Sequence, residues 1–193
     1  MRTFSILVIV VFVRGIAALA LGQIGSEAKA AIPALTESLK DSDSDARVVV
    51  AESLGMIGPK AVPALTELLK NKSEDVRQAA VVALGKIGPE AKTAVFALSE
   101  ILKDKEVRDD AVEALGKIGP QAKAAVPALA DLLRDEDVAV RRAAISALGK
   151  MGAAAASAVR ALTESLNDED AFIRETAAEA LEKIKKPEGG TAK

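Results

Sequence analysis

Apolar residues recur at helical intervals along almost the whole chain, and the intervals come as a pair that repeats. In "AIPALTESLKD" Ile32, Leu35 and Leu39 stand at i, i+3 and i+7, and in "RVVVAESLGMI" so do Val50, Leu54 and Ile57. Each spacing predicts an amphipathic helix, so one period predicts helix, turn, helix. "ALGQIG" at 20–25 returns as "SLGMIG" at 53–58, "ALGKIG" at 83–88 and 114–119, "ALGKMG" at 147–152 and "ALEKIK" at 180–185. Eight positions before the first glycine of each motif, or its substitute, stands an arginine: Arg14, Arg47, Arg77, Arg108, Arg141 and Arg174. The intervals between these arginines are 33, 30, 31, 33 and 33 residues. Three residues are missing ahead of Pro63 and two between Leu102 and Arg108, both in predicted connections, where length changes are tolerated.

Residues at the ends of the predicted helices have a physical reason to be there. Four positions before the arginines stand Asp43, Ser73, Asp104, Asp137 and Asp170. Each side chain is able to accept a hydrogen bond from the free N–H groups that open the second helix. Gly58, Gly88 and Gly119 follow the second helix and precede Pro59, Pro89 and Pro120, which predicts a left-handed stop followed by a fixed helical start. Gly22, Gly55, Gly85, Gly116 and Gly149 lie inside the second helices, where glycine costs about 1 kcal/mol relative to alanine. Such a repeated cost predicts close approach of neighbouring helices. The expected divisions are an apolar N-terminal half repeat (1–25), five repeats (26–58, 59–88, 89–119, 120–152 and 153–185) and a disordered tail (186–193).

Composition narrows the chemistry. Half of the residues are hydrophobic, but the aromatics are four phenylalanines, and there is no Cys, His, Trp or Tyr. Ala, Leu, Val and Ile suit close helix packing rather than ring stacking. The formal charge is −2, with acids and bases spread along the chain. No nucleic-acid partner is expected from such a surface. The absence of cysteine excludes disulfides and thiolate chemistry without identifying a compartment.

The pattern "VRxxAxxALGxIG" with "PALxxLLKD" resembles the HEAT repeats, in the short form of phycobilisome-lyase-type HEAT-like proteins, over roughly residues 13–185. The resemblance implies an all-α fold, a right-handed α-solenoid of stacked helical hairpins, with first helices on the convex side and second helices on the concave side. It also implies a ladder between repeats that joins the Asp six positions before each Arg to that Arg: Asp41, Asp135 and Asp168. Asn71 replaces this residue in one repeat and the deletion removes it in another, so the ladder is expected to weaken in the middle.

In a solenoid the stacked frame repeats and function falls to positions that vary. On the second helix the most variable are one and five after the arginine, which share a face. They are Val48 and Glu52, Gln78 and Val82, Asp109 and Glu113, Arg142 and Ser146, and Glu175 and Glu179. This surface runs from mixed to acidic and is edged by Lys86, Lys117, Lys150 and Lys183. One reading is a site for a protein segment, a basic one among the candidates; the other is a set of solvated helix faces. Of the family's enzymes, a di-iron hydroxylase needs His–Glu pairs, and this chain has no histidine. A DNA glycosylase needs aromatic residues and a basic groove. "DSDSD" at 41–45 and "DED" at 135–137 and 168–170 recur with the caps, and the Gly and distal Glu of an EF-hand-type loop are absent. The expectation is a non-enzymatic interaction or assembly scaffold without cofactor or metal; the alternative is a subunit of a bilin-lyase-type complex or of another enzyme complex.

The two ends differ. Glu182 replaces the close-packing glycine and Lys185 the terminating one, and Glu175, Glu179, Glu182 and Lys186 form a polar stripe. At the other end, residues 14–25 match a second helix with no first helix before them, and Val10 stands at the cap position. Ile6 to Val13 are all apolar, and burying such side chains is worth about 1.5–3 kcal/mol each. Three covers stay open: a signal peptide ending near "ALA" at 18–20 and hence export, a membrane anchor over residues 4–22, or a folded helix packed on its neighbour, a second copy or another subunit. Because Arg14 keeps the repeat register, the folded, cytoplasmic helix is preferred, with Ile6, Val8, Ile9 and Phe12 as apolar docking residues and a homo-oligomer as one result.

Overall fold

The structure, a computed structural model, describes residues 15–40 and 44–186, with backbone alone at 44 and 45. Among the described residues every regular element is an α-helix or a 3-10 turn. The fold is an all-α solenoid. It divides into two compact units, Met1–Ala94 and Val95–Lys193. The first holds α1 (15–24), α2 (Ile32–Ser38), α3 (Ser44–Ile57), α4 (Val62–Leu68) and α5 (Glu74–Ile87). Here α2 pairs with α3 and α4 with α5, while α3 lies along α5. The second holds α6 (Val95–Ile101), α7 (Arg108–Ile118), α8 (Val126–Asp131), α9 (Val138–Met151), α10 (Val159–Glu164) and α11 (Ala171–Lys185). In it three hairpins, α6–α7, α8–α9 and α10–α11, are stacked so that α9 lies between α7 and α11.

The predicted apolar stripes form the cores. Leu39, Leu54 and Leu65 in the first unit and Leu115, Leu129 and Leu148 in the second are fully enclosed. Removing a leucine side chain of this kind from water is worth about 1.5–3 kcal/mol. The first helix of each hairpin differs from the expected single amphipathic helix. Its opening residues form 3-10 turns, such as Gly25–Ala31 and Gly119–Ala125, before the α-helical part begins. Pro33, Pro63 and Pro127 stand at the start of α2, α4 and α8, where a missing N–H is harmless. The 3-10 turn persists ahead of α6 and α10, where Phe96 and Arg160 hold the proline position. What recurs in all five is a buried alanine: Ala28, Ala61, Ala91, Ala122 and Ala155. The tight turn carries this small side chain inward.

The caps are corrected in part. Asp137 accepts a hydrogen bond from the Ala139 N–H, and Asp170 accepts from Phe172 and Ile173. Ser73 stands at the cap of α5 but its side chain makes no cap bond. Asp104 lies too early: the shortened connection starts α7 at Arg108 with Val107 at its cap, and Asp104 instead accepts from the Glu106 N–H. Asp43 lies outside the described residues. Asp137→Ala is therefore expected to cost about 1 kcal/mol, a shift of about 2–4 °C in a thermal melt. Ser73→Ala should leave the melt nearly unchanged.

The terminating glycines also differ from the expected left-handed helical stop. Gly88 and Gly119 close their helices at φ 68° and 66° with ψ −137° in both. Left-handed helical backbone has positive ψ, a state that Asn also visits. Positive φ with strongly negative ψ is open to glycine alone among common residues.

Candidate functional site

The positions one and five after each arginine all reach the surface. In the first unit Val48 and Glu52 on α3 face Gln78 and Val82 on α5, and the four line one groove of ≈ 330 Å³ with Ala51 and Ala79. It is largely apolar. Val48 and Val82 are exposed, and Glu52 is held by Lys86 at 2.6 Å. In the second unit Asp109 and Glu113 on α7 face Arg142 and Ser146 on α9 across a groove of ≈ 340 Å³, with Gly116 and Ala147 also in its lining. Lys117 Nζ stands 2.7 Å from Glu113 Oε1. The hydrogen bond and charge of Lys117, aided by Lys150, hold the Glu113 carboxyl below the usual carboxylate range. Arg142 places its guanidinium 5.6 Å from the centre of the Phe172 ring on α11. Glu175 and Glu179 are exposed along α11, and Glu179 lies 4.0 Å from Lys183.

The inner glycines set how close the groove walls stand. A Cβ on Gly55 would lie 2.9 Å from Lys86 Cβ, one on Gly116 3.2 Å from Ala147 Cα, and one on Gly149 3.2 Å from Ala180 Cβ. Three of the edge lysines thus have a packing role as well as a charge. Lys86, Lys150 and Lys183 carry their stems across the glycine of the preceding repeat, leaving the ammonium group in water.

The ladder is built differently from the expectation. The Asp six positions before an Arg offers that Arg its backbone carbonyl, and sends its carboxylate to the Arg of the preceding repeat. Arg141 Nη1 donates to the carbonyls of Asp135 at 2.9 Å and Glu136 at 3.2 Å, while Nη2 donates to Asp168 Oδ1 at 3.0 Å. Arg108 Nη1 donates in the same way to Asp135 Oδ2 at 2.8 Å. Arg141 Nε lies 2.9 Å from Asp168 Oδ2, a second charge contact between the same two groups. Burial pushes the Asp168 carboxyl up, but the Asp170 N–H and the charges of Arg141 and Arg174 outweigh it and the net shift is down. Where Asn71 replaces the Asp, the expected weakening does not occur at Arg47. Its Nη2 donates at 2.7 Å to Asp75, on the first turn of α5. Asp41 lies outside the described residues.

Sequence reasoning missed Asp75 and Phe172. The available signal for Asp75 was an extra carboxylate within one helical turn of the substituted ladder position; for Phe172 it was an aromatic in the first turn of a helix beside a groove arginine. A further cleft of ≈ 410 Å³ is lined by ladder residues together with Arg134 and Glu164, which pair at 2.6 Å. Ile6, Val8, Ile9 and Phe12 lie outside the described residues, as do residues 4–14 of the segment considered for a membrane. Among the described residues no single helix is long and apolar enough to cross one. Glu175, Glu179, Glu182 and Lys186 are all exposed.

A family model described as HEAT repeats matches residues 32–105 and 95–182, and one described as PBS lyase HEAT-like repeat matches residues 13–41. Among solved structures, the chain is similar to the complex of CpcE and CpcF of phycocyanin lyase from Nostoc sp. PCC7120. Identity is 22%, over 78% of this chain and 98% of that one, with a TM-score of 0.64. It is similar to a designed armadillo repeat protein in complex with the peptide (KR)4, at 21% identity over 88% and 91% of the two chains with a TM-score of 0.62. It is also similar to the archaeal HEAT-like repeats protein from Thermococcus onnurineus NA1, at 19% identity over 86% and 75% with a TM-score of 0.55. At these identities the likeness is one of fold. No curated protein matches the sequence.

Proposed function

The chain belongs to the HEAT repeat family, and from that premise we propose that it is a non-catalytic scaffold that holds protein segments on the exposed face of its long helices. One observation carries the reading. The long-helix positions that vary most from repeat to repeat reach the surface, and in each unit four of them line a single groove, while the repeated leucines and alanines are buried. A repeat array with a constant core separates stability from recognition in this way.

The chemistry differs between the grooves. That between α3 and α5 offers Val48, Val82 and two alanines, a surface for apolar side chains. The face of α7, α9 and α11 offers Asp109, Glu113, Glu175 and Glu179, a surface for lysine or arginine. Arg142 stacks on Phe172 and so keeps a fixed place among these acids rather than sweeping across the groove.

The test uses a fluorescent (KR)4 peptide, the ligand that the armadillo design of the same fold class carries. Reversing Asp109, Glu113, Glu175 and Glu179 to lysine is expected to weaken binding by about tenfold or more, in a salt-dependent way. The melting temperature should fall by only about 2–4 °C, because all four side chains are exposed and the ion pairs of Glu113 with Lys117 and of Glu179 with Lys183 are surface ones. Equal binding by the reversed and original chains would show that the acidic face does not recognise basic segments.

A further inference from the structure

We propose that the groove between α7 and α9 takes an extended protein segment of mixed charge, one that sets a basic side chain at Asp109 and an acidic one, three or four residues away, at Lys150. The inference rests on the protein-segment reading above and narrows it for this one groove.

Equivalent positions of the two grooves differ in how their charges are matched. Between α3 and α5 the walls neutralise each other. Glu52, five residues after Arg47, meets Lys86, nine after Arg77, at 2.6 Å, and Arg47 meets Asp75 at 2.7 Å. The counterparts of Glu52 and Lys86 in the second unit are Glu113 and Lys150, and these make no ion pair. Glu113 is taken by Lys117, one turn along its own helix, at 2.7 Å. Where α7 has Lys117, α3 has Met56, which leaves Glu52 to reach across its groove. The depressed Glu113 carboxyl has the same origin, with Lys117 as the main cause and Lys150 the least. Lys150 therefore lays its stem over Gly116 and ends in an exposed ammonium group at one end of the groove.

The other end carries the opposite charge. Asp109 stands where α3 has Val48, and Ala139 where α5 has Asp75. Arg142, level with Asp109 on the facing wall, is the cation that would neutralise it, but its guanidinium is engaged with the Phe172 ring on α11. Asp110 also lines this end and keeps it acidic with Arg142 counted. Among the described residues, neither the Asp109 carboxylate nor the Lys150 ammonium makes an ion pair or a hydrogen bond.

A carboxylate and an ammonium without partners thus stand at opposite ends of one groove of ≈ 340 Å³. Asp109 is one residue past its arginine and Lys150 nine past its own, a rise of about 12 Å along the helices. An extended chain covers that distance in three or four residues at about 3.3 Å each. A uniformly basic segment would satisfy Asp109 and be repelled at Lys150.

A glutamate scan of the (KR)4 peptide tests this, each residue being replaced in turn and binding followed by fluorescence anisotropy at low ionic strength. On a uniformly acidic face every replacement weakens binding. Here at least one interior replacement is expected to bind about threefold tighter than (KR)4 itself. Lys150→Glu should abolish that gain and strengthen (KR)4 by a similar factor. If the melting temperature of this variant falls, Lys150→Gln, which keeps more of the stem over Gly116, serves instead and should also abolish the gain. Replacements that all weaken binding overturn the proposal while leaving the acidic-face reading in place, and a gain that survives at both Lys150 variants overturns it too. A glutamate peptide that binds where (KR)4 does not supports the proposal and overturns the basic-segment reading alone; if no peptide binds, both fall.

Discussion

Arg141→Met is expected to lower the unfolding free energy by about 3 kcal/mol. The side chains of Arg141 and Asp168 are 8% and 13% exposed, so their attraction is little screened. The same guanidinium donates to the carbonyls of Asp135 and Glu136 in its own repeat and to a carboxylate of the next. Methionine fills much of the volume and makes none of these bonds, leaving a carboxylate and two carbonyls short of a donor. Denaturant titration checks the loss, with Arg134→Met as the control. Its ion pair to Glu164 is solvent-exposed, and that variant should unfold at the unaltered midpoint. Equal midpoints for the two variants would show that the buried tie does not hold the repeats together. Acid provides a second readout. Asp168 titrates below its ordinary value in the folded chain, so its contribution is present above the usual carboxylate range and is lost as the pH falls through the depressed folded value. Arg141→Met removes one of the groups that depress it, and the acid-induced fall in stability should become shallower.

Glycine substitutions within one helix should have opposite signs. At Gly22 a Cβ would stand 2.8 Å from Ser53 Cα and 3.1 Å from its Cβ. Backbone cannot swing aside as a side chain can, so α1 and α3 must separate. Gly22→Val is expected to cost about 1–3 kcal/mol. A Cβ at Gly15 meets nothing within 4 Å, and there alanine should stabilise by up to about 1 kcal/mol through helix propensity alone. Urea denaturation of the two variants distinguishes packing from propensity. If both changes stabilise, the helices are not held at contact distance by their glycines.

Much of this frame was legible in the residues. The i, i+3, i+7 spacing of Ile32, Leu35 and Leu39 is a local property of one helix face, and it reads directly as burial. The inner glycines were legible because a repeated local cost implies a repeated tertiary gain. The variable positions were legible as a face, since residues four apart on one helix lie side by side. Other features were hidden for physical reasons. Whether Asp104 caps a helix depends on where a connection two residues shorter lets α7 begin. The break into 3-10 turn and α-helix follows a buried alanine more closely than it follows proline, and an alanine gives little local signal of its own.

By itself the sequence determined the period, the all-α class, the buried stripe of each helix and the places where helices touch, because those depend on side-chain spacing and size over a turn or two of backbone. Tertiary structure alone decided which charge meets which. Arg141 reaches Asp168 and Arg47 reaches Asp75 across 27 and 28 residues of chain. Such partners are chosen by how one hairpin sits on the next. Stacking brings several carboxylates within reach of each arginine, and only the angle and offset between hairpins select among them.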